Sequence, residues 1–340
     1  MATNNRMWYA VKAIGMAARG SLSFTAIHGL QSFGMDTAFN IERILQLGQS
    51  AIYENKEESP DITVNMTKVL DGYPTPYMHA TQQATTPTLT GRSSAQCGLA
   101  MSIFEDTYNS ASGIPQRQVM LSGLFPNSVS YNFNVDSNST EEISLIGTQK
   151  EWLSGGSINF TGNIFTNNDS PNAITGSGGV QRRQHVVFGT TSDTLLPPDV
   201  AGISSSGTND QVAGVFSASV QTINISADLN RTGLRELGRK GYYHRFVGFP
   251  VEVQTQIEII AKSGDGVNCF SETDNLSNRT IKVKTLDGLV VNCGSLNKLT
   301  GITFGGGDTG GGFDSIQYSY TNANDMTVQA PYDVNTALRN

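Results

Sequence analysis

The chain has 340 residues and a formal net charge of −7, from 22 basic and 29 acidic side chains. Only 15% of its residues are charged, against about 25% in typical globular domains, so small polar residues and glycine supply most of its polarity. This composition favours strands and turns over surface helices. An acidic chain without strong Lys/Arg clustering is a poor general nucleic-acid binder. The sequence contains no run of 18 apolar residues, which is about the length needed to span a membrane, so no membrane insertion is expected.

Alternating apolar residues predict strands in the first half of the chain. Residues 21–28 fit a strand, and in 61–66 the apolar side chains Ile62, Val64 and Met66 share one face. The charged stretch Glu54 to Pro60 is expected to form a hairpin tip or long loop between two extended strands. Residues 92–107 fit both a helix and a strand, and the strand is favoured.

The second half of the chain shows the same alternation at four places. Strands are predicted at 129–135, 141–148, 220–226 and 251–259. Between them, residues 155–214 are rich in Gly, Ser, Asn and Thr and are expected to form a loop-rich insertion, with one short strand at 184–188.

One short helix and one tight hairpin complete the predicted elements. Asn230 could cap a helix over 231–237, and Gly238 could end it in the left-handed conformation. Asp287-Gly288 suits a type I′ turn between strands at 280–286 and 289–292. A final strand is predicted around 316–320, so the chain as a whole reads as mostly β.

Charge is distributed unevenly along the chain. Residues before Asp36 carry +3, residues 36–71 carry −4, and residues 231–245 carry +4. One interpretation is ordinary solvated faces. The other is complementary surfaces on identical subunits, and a heterologous contact of that kind generates rings or helical stacks.

The sequence offers no recognisable catalytic or metal-binding constellation. Its four histidines do not share metal-ligand spacing, and neither a nucleophile elbow nor a P-loop occurs. Three cysteines are too few for a disulfide framework. Cys269 and Cys293 could lie close together, but free thiols are favoured, and Cys97 is expected to be buried. We therefore expect that the protein is not an enzyme and that it binds neither a cofactor nor a metal ion.

Two stretches resemble the tail tube proteins of tailed bacteriophages. The first contains Phe39-Asn-Ile-Glu-Arg-Ile-Leu-Gln-Leu-Gly-Gln49 and Lys68-Val-Leu-Asp-Gly-Tyr-Pro74. The second and more specific one runs from Asp228 to Phe246 and into Phe249-Pro-Val-Glu-Val253. The resemblance covers residues 1–150 and 215–262. It is loose in the 155–214 region and does not extend past about residue 265.

The resemblance implies two packed antiparallel sheets, sandwich-like or barrel-like, with one short flanking helix and a long hairpin or arm. Residues 1–262 would form the tail-tube core, and residues 265–340 a peripheral β-rich lobe. Six copies would form a ring, and stacked rings would form the tube of the virion tail, assembled in the bacterial cytoplasm. Implied partners are sheath, baseplate, terminator and tape-measure proteins, with DNA passing through the lumen without specific binding.

Site expectations follow from the charges and this resemblance. The acidic segment 36–71 should supply strands of the inner barrel, with Asp36, Glu42 and Asp61 facing the lumen. The subunit interface should contain six charged residues: Glu54, Glu57 and Glu58 at a ring edge, and Arg231, Arg235 and Arg239 on one helix face.

The alternative is a β-sandwich that binds carbohydrate, as a fibre or virion decoration protein. It would need a platform of exposed aromatic side chains. Only Trp8 and Trp152 are available, and both lie in apolar or aromatic sequence contexts.

Overall fold

A computed structural model describes residues 6–81, 89, 95–106, 111, 113–161, 179–188, 193–201, 203, 219–262, 264–265, 267, 276–306 and 312–329. Strands account for 54% of the structure and helices for 5%, which confirms the mostly-β prediction. Much of the predicted insertion and Cys269 lie outside the described residues.

Strands dominate both halves of the chain. The first half contains β1 Lys12–Ala18, β2 Ser23–Ala26, β3 Leu30–Ala38, β4 Ile41–Leu45, β5 Ile52–Glu57, β6 Asp61–Val69, α1 Pro76–Ala80, β7 Cys97–Ile103, β8 Arg117–Asn134, β9 Thr140–Gly147, β10 Gln149–Ser154 and β11 Asn159–Thr161. The second half contains β12 Val220–Asp228, β13 Thr232–Leu234, β14 His244–Phe246, β15 Glu252–Ile260, β16 Lys282–Lys284, β17 Val290–Asn292, β18 Lys298–Gly305, β19 Ser315–Ala323 and β20 Thr327–Gln329. Short 3₁₀ turns span Tyr9–Val11 and Arg183–His185.

The long strand β8 belongs to two sheets. Its first part lies between β7 and β10, in a sheet with the order β11-β2-β1-β7-β8-β10. Its second part lies between β9 and β12, in a sheet with the order β3-β6-β9-β8-β12-β15-β19-β18. Gly123, at a φ of +67°, and a bulge at Pro126/Ser128 mark the passage between them. We call these the first and second sheets.

The two sheets share one hydrophobic core. Ile14 and Leu99 of the first sheet and Val64, Tyr131 and Ile257 of the second are buried in a single cluster. Alternation puts these side chains on one face of each strand, as the sequence predicted. The two-layer architecture is thereby confirmed, and the described strands form no closed barrel.

The prediction of a helix over 231–237 is wrong. Residues 232–234 form β13, which pairs with β14 in a two-stranded sheet. Glycine at position 233 allows this pairing. A Cβ there would lie only 2.6 Å from the ring of Tyr242, which is too close for a larger residue to fit without a shift of the ring. Gly238 is left-handed as expected, with a φ of +86°, but it lies in a turn. The short α-helix whose bounds lie within the described residues is α1, and its five residues are all buried.

Three other local predictions also change. Glu54 to Glu57 lie in strand β5, so the hairpin tip falls at 46–51 instead of 54–60. The predicted short strand at 184–188 is a 3₁₀ turn followed by an isolated bridge at Val186. The turn at Asp287-Gly288 is not type I′, since Gly288 has a φ of +90° but Asp287 is not among the described residues with positive φ.

Residues 276–306 and 312–329 are integrated into the body of the protein. Strand β19 pairs with β15 over nine residue pairs, and β18 pairs with β19, so both extend the second sheet. Val283, Val291 and Tyr318 are buried in the main core. The strand β15 would therefore lose one of its two neighbours, β19, if the chain ended near Lys262.

Candidate assembly surfaces

The outward face of the second sheet is polar across its full width. One row of directly paired residues runs Ser32, Thr67, Glu142, Ser130, Ser226, Gln254, Thr321 and, on edge strand β18, Lys298. The parallel row contains Asn132, Asn224, Gln256 and Ser319. We call this surface the polar face.

The charges of the polar face have one sign over seven strands. Among the described outward positions of β3, β6, β9, β8, β12, β15 and β19 there is no Lys or Arg. Six carboxylates lie there: Asp36, Asp61, Glu142, Asp228, Glu252 and Glu258. A shallow cavity of about 620 Å³ over this face is lined by Glu142, Asp228 and Glu252 among others. Such a surface repels phosphate groups.

The three residues expected to face a lumen have different positions. Asp36 is exposed on the polar face. Asp61 lies at its margin, but its carboxylate forms an ion pair with the nearly buried Arg245. Glu42 lies on β4, away from the second sheet. The sequence showed the polar alternation of β8 and β15, yet only strand register reveals that Glu142, Asp228 and Glu252 join the same face.

The hairpin β4–β5 projects from the protein as an isolated ribbon. Within the described part of the chain its strands pair only with each other. Every residue of β5 and all but Ile44 of β4 are exposed. Large apolar side chains are exposed on it and at its ends: Phe39, Ile41, Leu45, Leu47, Ile52 and Tyr53. We call it the arm; such exposure is typical of an interaction surface.

Ion pairs tie the base of the arm to the β13–β14 sheet of the same chain. Glu58 pairs with Arg235, and Asp61 pairs with Arg245. The hydroxyl of Ser59 donates to the carbonyl of Lys240 at 2.9 Å. The acidic and basic segments that the sequence singled out therefore do meet, within one chain.

The three arginines of the predicted interface do not form one face. Arg231 is partly buried, donates to the carbonyls of Pro126 and Arg245, and lies 4.9 Å from the ring centre of Phe125. Arg235 pairs with Glu58, and Arg239 pairs with Glu236 at 3.1 Å. Of these, Arg239 has the most exposed side chain.

A second polar cluster is buried beneath α1. Lys68 and Asp71 form an ion pair there, and the backbone N–H of Tyr77 donates to Glu141 at 2.8 Å. Burial raises the pKa of Glu141, although the hydrogen bond from the Tyr77 backbone N–H and the charge of Lys68 partly oppose this. Burial, with the charges of Lys68 and His28, lowers the pKa of His79 to about 4. This cluster is enclosed and serves the fold.

The remaining sequence expectations concern single residues. Cys97 and Cys293 are buried free thiols, and burial raises the pKa of both to about 12. Trp8 packs edge-on against Tyr9 at 5.2 Å, and Trp152 is half exposed on β10. Among the described residues, no cluster of His, Cys, Asp and Glu could hold a metal ion, and no helix is long and apolar enough to cross a membrane.

The sequence matches no protein-family model and no curated protein. Parts of contractile injection systems are similar to 45% of the chain. The tube-terminating cap of the anti-feeding prophage matches with a TM-score of 0.34 and 12% identity, over 95% of its own length. The PVC sheath/tube terminator of an extracellular contractile injection system, in its extended state, matches with a TM-score of 0.34 and 13% identity, over 100% of its length. The corresponding PVC sheath–tube complex matches with a TM-score of 0.32 and 14% identity, over 95% of that chain.

Proposed function

We propose that the protein is a structural tail protein that assembles with copies of itself into rings, and that the rings stack into a tube. The polar face lines the channel of that tube. The observation that carries the proposal is the absence of Lys and Arg from the described outward positions of seven adjacent strands, combined with six carboxylates, of which only Asp61 forms an ion pair within the described residues. DNA can move along such a wall without binding to it.

The edges of the second sheet support self-assembly. Within the described residues, β3 pairs only with β6, and β18 pairs only with β19. Each edge presents unpaired backbone groups, which in a lone subunit invite pairing with another chain. Pairing β3 of one copy with β18 of the next gives a head-to-tail contact, and such contacts close into rings. We propose six copies a ring, as in the tail tube proteins that the sequence resembles.

The surroundings follow from this role. The tube lies in a virion tail or tail-like particle and is assembled in the bacterial cytoplasm. Sheath, baseplate, terminator and tape-measure proteins are its partners. The proposed role is structural and needs no catalytic site, and β18, within residues 265–340, contributes to the ring.

Electron microscopy of the purified full-length protein tests the proposal. Stacked rings or hollow tubes are expected, whereas only monomers at high protein concentration would contradict it. The edge contact is tested by Gly34→Lys in β3 and Gly301→Lys in β18. A Cβ meets no heavy atom within 4 Å at either glycine, so both variants should fold, yet neither should form rings. Gly264→Lys, at an equally open position outside the strands, is the matched control and should assemble normally.

A further inference from the structure

A second cavity lies beside the β13–β14 sheet and is lined by three arginines. Its volume is about 280 Å³, and its walls include Arg19, Arg239, His244 and Arg245. No Asp or Glu lies among its lining residues. The composition of the walls therefore suits an anion.

The cations of this cavity differ in how they are engaged. Arg19 is exposed and forms no ion pair with any carboxylate in the described ranges. Arg239 is held by Glu236 alone, in an exposed pair of the kind that exchanges partners at little cost. Burial lowers the pKa of His244, and the charges of Arg231 and Arg19 lower it further. The lowered pKa favours the neutral ring of His244, and Arg245 is already paired with Asp61, so Arg19 and Arg239 are the cations open to an entering carboxylate.

Aromatic rings hold the walls of the cavity in place. The guanidinium groups of Arg235 and Arg245 lie 5.0 and 4.2 Å from the centre of the Tyr242 ring. His244 packs edge-on against Phe125 at 5.1 Å and against Phe246 at 4.5 Å. A site that is already ordered loses less entropy when its ligand binds.

The arm carries a carboxylate that fits this site. Glu54 is exposed, and no described cation lies within ion-pair distance of it. Its register partner is Ile44, whereas Glu57 is paired with Ile41, so these two glutamates point to opposite faces of the ribbon. Glu54 also lies four residues nearer the tip of the arm than Glu58, about 13 Å along an extended strand, and takes no part in the Glu58–Arg235 pair at the base.

We propose that the cavity binds the Glu54 carboxylate of a second copy of this chain, with Arg19 and Arg239 as its partners. The arm of each subunit then docks beside the β13–β14 sheet of a neighbour. This rests on the proposed function, because it needs an assembly of identical subunits. The exposed apolar side chains Leu45 and Ile52 lie on the same face of the arm as Glu54, and Leu234 and Tyr243 are exposed at the receiving sheet.

Charge reversal on the full-length protein tests the docking contact. The protein concentration needed for half-maximal assembly is measured by sedimentation and electron microscopy at about 0.15 M salt. We expect Glu54→Lys to raise it about tenfold or more, and Arg19→Glu with Arg239→Glu to do the same. All three changes on one chain restore opposite charges, and the concentration should return to within about threefold of the wild-type value. Glu57→Lys makes the same charge change on the other face of the ribbon and should stay within about threefold.

The outcomes separate the two proposals. If the wild type forms rings and Glu54→Lys assembles at the wild-type concentration, the docking contact is wrong and the proposed function stands. Failure of the combined variant to improve on its parents also overturns the docking contact. If the wild type forms neither rings nor tubes, both proposals fall.

Discussion

The Lys68–Asp71 pair beneath α1 and the Glu58–Arg235 pair at the base of the arm contain the same kinds of groups in opposite settings. The side chains of Lys68 and Asp71 are 0% and 2% exposed, whereas those of Arg235 and Glu58 are 46% and 34% exposed. A buried pair has lost its hydration, and removal of one member leaves a bare charge in the core. An exposed pair contributes little and can exchange partners. The first cluster therefore belongs to the fold, and the second is open to assembly.

The largest effects are expected from two deletions, one of the residues after Lys262, which support the buried cluster, and one of the arm. Truncation after Lys262 removes β19 from the edge of β15 and also Asp287, which accepts a hydrogen bond from Gly72 beside α1 at 3.2 Å. We expect the truncated protein to lack a cooperative thermal transition in circular dichroism. From sequence alone the opposite was expected, since residues 265–340 lie beyond the resemblance. A cooperatively folded product would restore that expectation.

Deletion of the arm is the matched counterpart. The N–H of Glu58 donates to the carbonyl of Asn40 at 2.8 Å, so a short turn can replace residues 41–57. We expect this variant to fold with a near-native melting temperature and to form no tubes. Loss of the folded state would show that the arm is part of the core.

The second prediction concerns the buried ion pair. Lys68→Met leaves Asp71 buried without its cation, and we expect the free energy of unfolding to fall by about 3–5 kcal/mol in chemical denaturation. Adding Asp71→Asn removes the stranded charge and should recover much of the loss. A decrease below about 1 kcal/mol for Lys68→Met would mean that Asp71 finds other compensation.

The third prediction is a pH dependence from His79. Its pKa is about 4 in the folded protein and about 6.5 when unfolded, so folding favours the neutral ring. This contribution is present above pH 6.5 and is lost as the pH falls towards 4. Between pH 7 and pH 4, the free energy of unfolding of the wild type should therefore fall by about 3 kcal/mol more than that of His79→Gln. The raised pKa of Glu141 increases stability as the pH falls, but this contribution is present in both proteins and cancels in the comparison. Equal acid losses in the two proteins would contradict the prediction.

The smallest effect on stability is expected at the base of the arm. Arg235→Gln removes the exposed partner of Glu58 and the cation over Tyr242. We expect the denaturation midpoint to stay unchanged, because solvent screens this pair. A clear loss of stability would mean that the exposed pair holds the arm in place, and that exposed and buried pairs in this protein differ less than their burial indicates.

Local patterns predicted much of the fold, and failed where distant residues decide. The strands around Val64, Val129 and Ile257 were predictable, because a sheet buried on one face imposes a two-residue period. The segment after Arg231 has helix-like caps, but Gly233 lies beneath Tyr242 and pairs with Arg245 across a hairpin. Tertiary packing overrides such weak helical preferences.

The same division applies to the assembly surfaces. The sequence by itself determined the β class, the polar outward positions of the strands, and the opposite charges of residues 36–71 and 231–245. Only the tertiary structure decided that Asp61 pairs with Arg245, 184 residues away, and that Glu142, Asp228 and Glu252 share one face. The physical reason is that alternation is a local consequence of strand geometry, whereas register and ion pairing depend on which strands become neighbours.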